Sequence, residues 1–321
     1  MRSFLKLTFF SLISTFLLLA TSFGQLVGLS YNSQTGENEF RSVDPGTGQS
    51  TVLNTFTLES GYSGFFSNPS KNEAYILSGP NQLIRFNLTT GELIGSTEMD
   101  VQYPTTTTGG PTGLTVAVSN HPDPTFDLKS LDPLSGETTL ITSFQSNGIG
   151  QIFADADTAY LPIWHDEILR FDLTSGQPLP SIDFTHPFQN FDLGVNGQIA
   201  GIWWNDATQQ NEFISVNPET SEVDILNAFS FTGGFYSSFF TDPLAGLAYA
   251  LSSENDLYTF NLLTGGILNI ANLDYQGGNF AVGAQAPDMQ EIPEPQTIGM
   301  IALSLFTALL GWRRLRLKSL R

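Results

Sequence analysis

The sequence predicts an all-β body, a six-bladed β-propeller spanning residues 25–287, preceded by a signal peptide at 1–24 and followed by a linker at 288–292 and a C-terminal tail with one transmembrane helix at 293–321. Three observations predict it. A turn motif recurs six times with a period near 44 residues, the copies alternate between two types, and no helical periodicity of useful length runs between the two ends of the chain.

At the N-terminus, Arg2 and Lys6 precede an apolar run from Leu7 to Ala20, and the small residues Ser22 and Gly24 follow. This is the pattern of a secretory signal peptide, with cleavage between Gly24 and Gln25, so the chain is expected to be exported. Between residues 25 and 292 only Arg41, Lys71, Arg85, Lys129 and Arg170 are basic, against nearly all of the 31 acidic residues. The anionic field repels nucleic acid and anionic membrane, which excludes DNA or RNA as partners. With no cysteine, the chain has no disulfide framework, thiolate nucleophile or cysteine metal site.

Each repeat writes an apolar residue, two variable positions, an apolar residue, Asp or Asn, Pro or Leu, a variable position, Ser or Thr, and Gly. The turn residues are Asp44, Asn87, Asp132, Asp172, Asn217 and Asn261, separated by 43, 45, 40, 45 and 44 residues, and Ser221 alone breaks the glycine column. Asp or Asn accepts backbone N–H groups at the start of a tight turn, Pro sets φ, and Gly takes the left-handed position, so each copy predicts a hairpin. The period suits a four-stranded blade. Turns one, three and five have Pro after the Asp or Asn, whereas two, four and six have Leu. Twelve residues before the turn residue the odd units carry Asn32, Asn120 and Asn205, and the even units Tyr75, Tyr160 and Tyr249. Odd units also share Phe56, Phe144 and Phe229 twelve residues after it. A two-blade unit present three times accounts for this.

The first unit starts at its second strand, Leu26 to Asn32, and lacks an innermost one. After the sixth unit, Asn279 to Gly283 matches Asn190 to Gly194. This last segment is expected to supply the missing strand and close the ring.

The body offers few chemical groups. His121, His165 and His186 are scattered in loop contexts, and neither a nucleophile elbow nor a phosphate-binding glycine loop is present. Asp155 and Asp157 form an acidic pair that can contribute to a Ca²⁺ site, but two carboxylates fall short of the six to eight oxygens that ion takes, so a solvated turn is the better reading. Trp203, Trp204 and Tyr31 sit at matching places in two odd units and are weak candidates for stacking on sugar rings, with packing between blades the simpler role. No catalytic residue, cofactor-binding residue or metal ligand is assigned.

At the C-terminus, Pro293, Glu294 and Pro295 precede an apolar stretch of 16 residues, Thr297 to Trp312, and a basic end with Arg313, Arg314 and Arg316. At about 1.5 Å per residue that stretch spans roughly 24 Å, a minimal anchor for a core of roughly 30 Å, and the arginines should stay cytoplasmic. The ordered combination resembles the PEP-CTERM sorting domain of Gram-negative bacteria, over about the last thirty residues, with Gln296 where a small or hydroxyl residue is common. The resemblance implies recognition of Pro293, Glu294 and Pro295 by an exosortase, stop-transfer by Arg313, Arg314 and Arg316, and passage from an inner-membrane-anchored precursor to the cell surface or an exopolysaccharide matrix. The expected function is a non-catalytic binding or scaffold module, with matrix polysaccharide or a surface protein as partner. The alternative is an extracytoplasmic propeller enzyme, a lactonase-like hydrolase or glycan lyase, with a divalent ion at the central channel.

Overall fold

The computed structural model describes residues 25–282 apart from 59–60, 102–103, 110–114, 121–123, 147, 151, 164–166, 185–187, 232–234 and 276–279. The signal peptide, the linker, Pro293 to Pro295 and the stop-transfer arginines lie outside the described residues, as do His121, His165 and His186. No helix among the described residues is long and apolar enough to cross a membrane.

Every strand is short and bounded by turn residues. The first three are β1 (Leu26–Asn32), β2 (Glu37–Val43) and β3 (Ser50–Phe56). The second group is β4 (Tyr62–Asn68), β5 (Glu73–Ser78), β6 (Gln82–Asn87) and β7 (Leu93–Glu98), with a 3₁₀ turn at Pro69–Lys71. The third is β8 (Pro104–Gly109), β9 (Thr115–Asn120), β10 (Thr125–Leu131) and β11 (Thr138–Gln145). Then come β12 (Phe153–Ala154), β13 (Thr158–Ile163), β14 (Glu167–Asp172) and β15 (Pro178–Asp183). The fifth is β16 (Phe188–Leu193), β17 (Ile199–Asn205), β18 (Gln210–Val216) and β19 (Val223–Phe229). The last is β20 (Phe235–Asp242), β21 (Leu247–Ser252), β22 (Asp256–Asn261) and β23 (Ile267–Asn272), after which comes β24 (Phe280–Val282).

The described strands form six four-stranded antiparallel sheets in a β-propeller arrangement. Five are consecutive meanders. The first is β24-β1-β2-β3, because β24 pairs with β1 through Leu26↔Val282, Val27↔Ala281 and Gly28↔Phe280. The innermost strands adjoin in the order β24, β4, β8, β12, β16, β20 and back to β24.

The repeated turn behaves as its chemistry dictates. Asp44 Oδ1 accepts the Gly46 N–H at 2.8 Å, and the Gly48 N–H returns to the Asp44 carbonyl at 2.8 Å. The hairpin above each turn carries a register shift, between Phe40 and Arg41 in the first sheet and between Arg85 and Phe86 in the second. Such bulges add right-handed twist.

The core lies between sheets. One buried cluster joins the first and second sheets around Phe40 and Phe86, and another joins the sixth to the first through Tyr249, Leu257, Leu26 and Val43. The odd-unit phenylalanines reach the next sheet: Phe56 lies 4.8 Å from Phe86, Phe144 5.2 Å from Phe171, and Phe229 5.0 Å from Phe260, centroid to centroid. The even-unit tyrosines stack on an inner-strand phenylalanine, Phe66 on Tyr75, Phe153 on Tyr160 and Phe240 on Tyr249, at 5.1, 5.1 and 5.2 Å.

Candidate functional site

The three aromatic candidates separate. Trp203 faces inward, 4% exposed, and its Nε1 donates to Glu212 Oε2 at 2.5 Å, so it is closed to any ligand. Neighbouring strand residues point to opposite faces, so the two adjacent tryptophans meet different surroundings. Trp204 is partly exposed and donates from Nε1 to Asp206 Oδ1 at 2.9 Å, while Tyr31 is 62% exposed. The latter two lie on β17 and β1, on the fifth and first sheets, so the topology does not bring them to one strand pair.

The acidic pair is a turn. Asp155 Oδ1 accepts the N–H groups of Asp157 and Thr158 at 2.9 and 2.7 Å, and its Oδ2 accepts the Tyr160 hydroxyl at 2.9 Å. Among the described residues no three His, Asp or Glu side chains converge as a metal site would require. The six turn residues spend their side-chain oxygens on their own turns. Asn87 Oδ1 takes the N–H groups of Thr89 and Thr90 at 2.9 Å each, for example, and Asn261 Oδ1 those of Leu263 and Thr264 at 3.0 Å each.

In the first and fifth sheets the asparagine of this column ends on a carboxylate absent from the sequence expectations, the side chain of Asn120 lying outside the described residues. Asn32 Oδ1 caps the loop at Gln34 and Thr35, and its Nδ2 donates to the buried Glu39 at 2.9 Å. Asn205 repeats this, capping Ala207 and Thr208 and donating to the buried Glu212 at 2.7 Å. The donated bond from Asn32, helped by Arg41, holds the Glu39 carboxyl below the usual carboxylate range. An acid so fully supplied with donors is a fixed anion that positions a loop, and not a base. The signal was present in the repeat: Glu39, Asp127 and Glu212 each stand five residues before an odd-unit turn residue.

One titratable group stands apart. Asp192, on inner strand β16, accepts the Thr241 N–H of neighbouring inner strand β20 at 2.9 Å and the Leu193 N–H at 2.8 Å. Burial pushes its carboxyl up from 3.8 to about 6, with those bonds acting in the opposite direction. Its protonation would change near pH 6, and among the described residues no lysine or arginine is bonded to it.

No family model matches the chain, and no curated protein matches it. Solved structures do match. TolB from Acinetobacter baumannii aligns with a TM-score of 0.57 at 15% identity, over 82% of this chain and 66% of TolB. A protein of Bacteroides uniformis assigned as a 6-phosphogluconolactonase aligns with a TM-score of 0.52 at 14% identity, over 78% of this chain and 96% of that one. The periplasmic gluconolactonase PpgL of Pseudomonas aeruginosa aligns with a TM-score of 0.50 at 12% identity, over 82% and 98%. At these identities the likeness shows the propeller fold alone.

Proposed function

We propose that this is an exported, exosortase-processed protein of the cell surface or extracellular matrix, whose six sheets are six blades of one closed ring serving as a non-catalytic binding or scaffold module. The observation that carries the sorting half is the order of Pro293, Glu294 and Pro295, a minimal apolar stretch and a basic end. Two further points support it: β1 begins at Leu26, one residue past Gln25, and the compact unit holding the strands ends at Ala284, before the tripeptide. The closed order of inner strands supports the ring. For the binding role, the support is an anionic surface with exposed Tyr31 and partly exposed Trp204, beside carboxylates already committed to loops.

The test compares intact mass and location in a host with its cognate exosortase, in one lacking it, and for a triple variant Pro293→Ala, Glu294→Ala, Pro295→Ala. A released form ending near Glu294, seen only with both enzyme and motif, is expected. A full-length tail retained in the membrane in all three cases would reduce the tail to a plain anchor.

Asp192 favours the second reading, a lactonase-like or glycan-cleaving enzyme, because a carboxyl titrating near 6 on an inner strand suits general acid–base work. Lactone hydrolysis that depends on Asp192 would move the assignment there.

A further inference from the structure

The second, fourth and sixth sheets each set a tyrosine of one strand directly opposite a residue of the next: Tyr75↔Arg85, Tyr160↔Arg170 and Tyr249↔Thr259. Residues paired this way project on one face of the sheet. An acid accompanies each tyrosine. The Tyr75 hydroxyl donates to Glu73 Oε2 at 2.7 Å, and the Tyr160 hydroxyl to Asp155 Oδ2 at 2.9 Å. An arginine stands beside both tyrosines: Arg85 Nη1 lies 3.9 Å from Glu73, and the Arg170 guanidinium carbon lies 5.9 Å from the Tyr160 ring centroid while its N–H groups go to the Pro218 carbonyl and Glu219.

The sixth sheet keeps the tyrosine and the acid but has Thr259 where the other two have arginine. Asp242 spends Oδ1 on its loop, accepting the Ala245 N–H at 3.0 Å. Its Oδ2, the Tyr249 hydroxyl and the Thr259 hydroxyl are left without partners, on residues only 4, 0 and 0% exposed. Buried polar atoms are nearly always paired, and a buried carboxylate without a counter-charge is the costliest exception. Asp242 and Tyr249 are electrostatic neighbours, and among the described residues no cationic side chain acts on Tyr249 as Arg85 and Arg170 act on its counterparts.

We infer that the sixth sheet binds a monovalent metal cation of sodium or potassium size in the place of the missing guanidinium, held by Asp242 Oδ2 with the hydroxyl oxygens of Tyr249 and Thr259. One carboxylate balances one positive charge. Ca²⁺ takes about six to eight oxygens, several of them from carboxylates, and Mg²⁺ keeps a shell of waters that this buried place does not offer. The ion lies between the sixth and first sheets, where Tyr249 packs with Leu26 and Val43, so it reinforces the junction at which the two ends of the body meet. The inference is independent of the proposed surface role.

The test is thermal unfolding of the purified full-length chain, in detergent and at fixed ionic strength, in potassium, sodium or choline chloride, choline being too bulky for the site. The melting temperature should rise by roughly 2–4 °C in one of the metal salts over choline and saturate with concentration. Thr259→Arg, which supplies the guanidinium of the sister sheets, should be indifferent to the salt. Asp242→Asn, which removes the anion, should be indifferent as well and serves alone if the arginine variant does not fold. Equal melting in all three salts would mean that a water or a protonated Asp242 fills the place, and would overturn the inference. So would a salt response that persists in Asp242→Asn.

Discussion

Ser221 shows what the turn demands of a single residue. It takes a φ of 58° in the column where Gly48, Gly91, Gly136, Gly176 and Gly265 run from 63° to 79°. A side chain in that region costs about 1–2 kcal/mol, and glycine's greater freedom in the unfolded chain offsets part of the gain from removing it. Ser221→Gly is therefore expected to stabilise the protein by about 0.5–1 kcal/mol, seen as a higher urea midpoint at unchanged slope. The glycines answer to a second constraint, because a Cβ at Gly48 would stand 2.2 Å from the Asn272 carbonyl oxygen and one at Gly176 2.3 Å from that of Ile141. Each turn thus lies on the outer strand of the preceding sheet. The motif written as a hairpin turn is also the contact between sheets.

At the scale of elements, the alternation of sheet types has a packing cause. An inner-strand phenylalanine meets tyrosine in the even sheets and glycine in the first and fifth, where Phe280 pairs with Gly28 and Phe191 with Gly201, whereas the third sheet sets Thr108 opposite Val116. A Cβ at Gly201 would come within 2.4 Å of the Phe191 ring. Junctions alternate too. Asp274 accepts the Ser50 N–H and hydroxyl at 3.0 and 2.6 Å, and Asp100 those of Thr138 at 3.2 and 2.8 Å. Between the fourth and fifth sheets Val223 takes the place of Ser50 and Thr138, and there Arg170 donates to the Pro218 carbonyl at 2.6 Å and to Glu219 at 2.5 Å. The Asp192 link between β16 and β20 makes one junction pH-dependent. Its folded pKa lies above the ordinary value, so the folded state holds the proton more tightly and stability falls as pH rises from 3.8 to about 6. The loss is on the order of 2–3 kcal/mol and is complete above that window. Subtracting the pH–stability profile of Asp192→Asn from that of the native chain should leave a step of this sign between pH 4 and 6. A flat difference would mean that the carboxyl titrates normally.

For the whole molecule, β24 decides whether the first sheet is complete. Phe280 stacks on Phe240 at 6.3 Å and pairs with Gly28, so a chain ended before Phe280 leaves the β1 edge open and removes an aromatic from the junction of the sixth and first sheets. Such a truncation is expected to lose cooperative unfolding and to associate through the bare edge. A sharp, unshifted melt of a monomer, measured by calorimetry and sedimentation, would show that closure contributes little. The turn chemistry and the period near 44 residues were legible because the same local backbone demand is written six times, and the even tyrosines and the missing first strand because they stand at fixed distances from those turns. Which of Trp203 and Trp204 is sealed, what the asparagine column bonds, why Asp192 resists ionisation and why Asp242, Tyr249 and Thr259 stand unpartnered were not. Those properties arise where strands distant in sequence meet, and there burial and the neighbour across the junction, more than the residue's own type, set its partners and its charge.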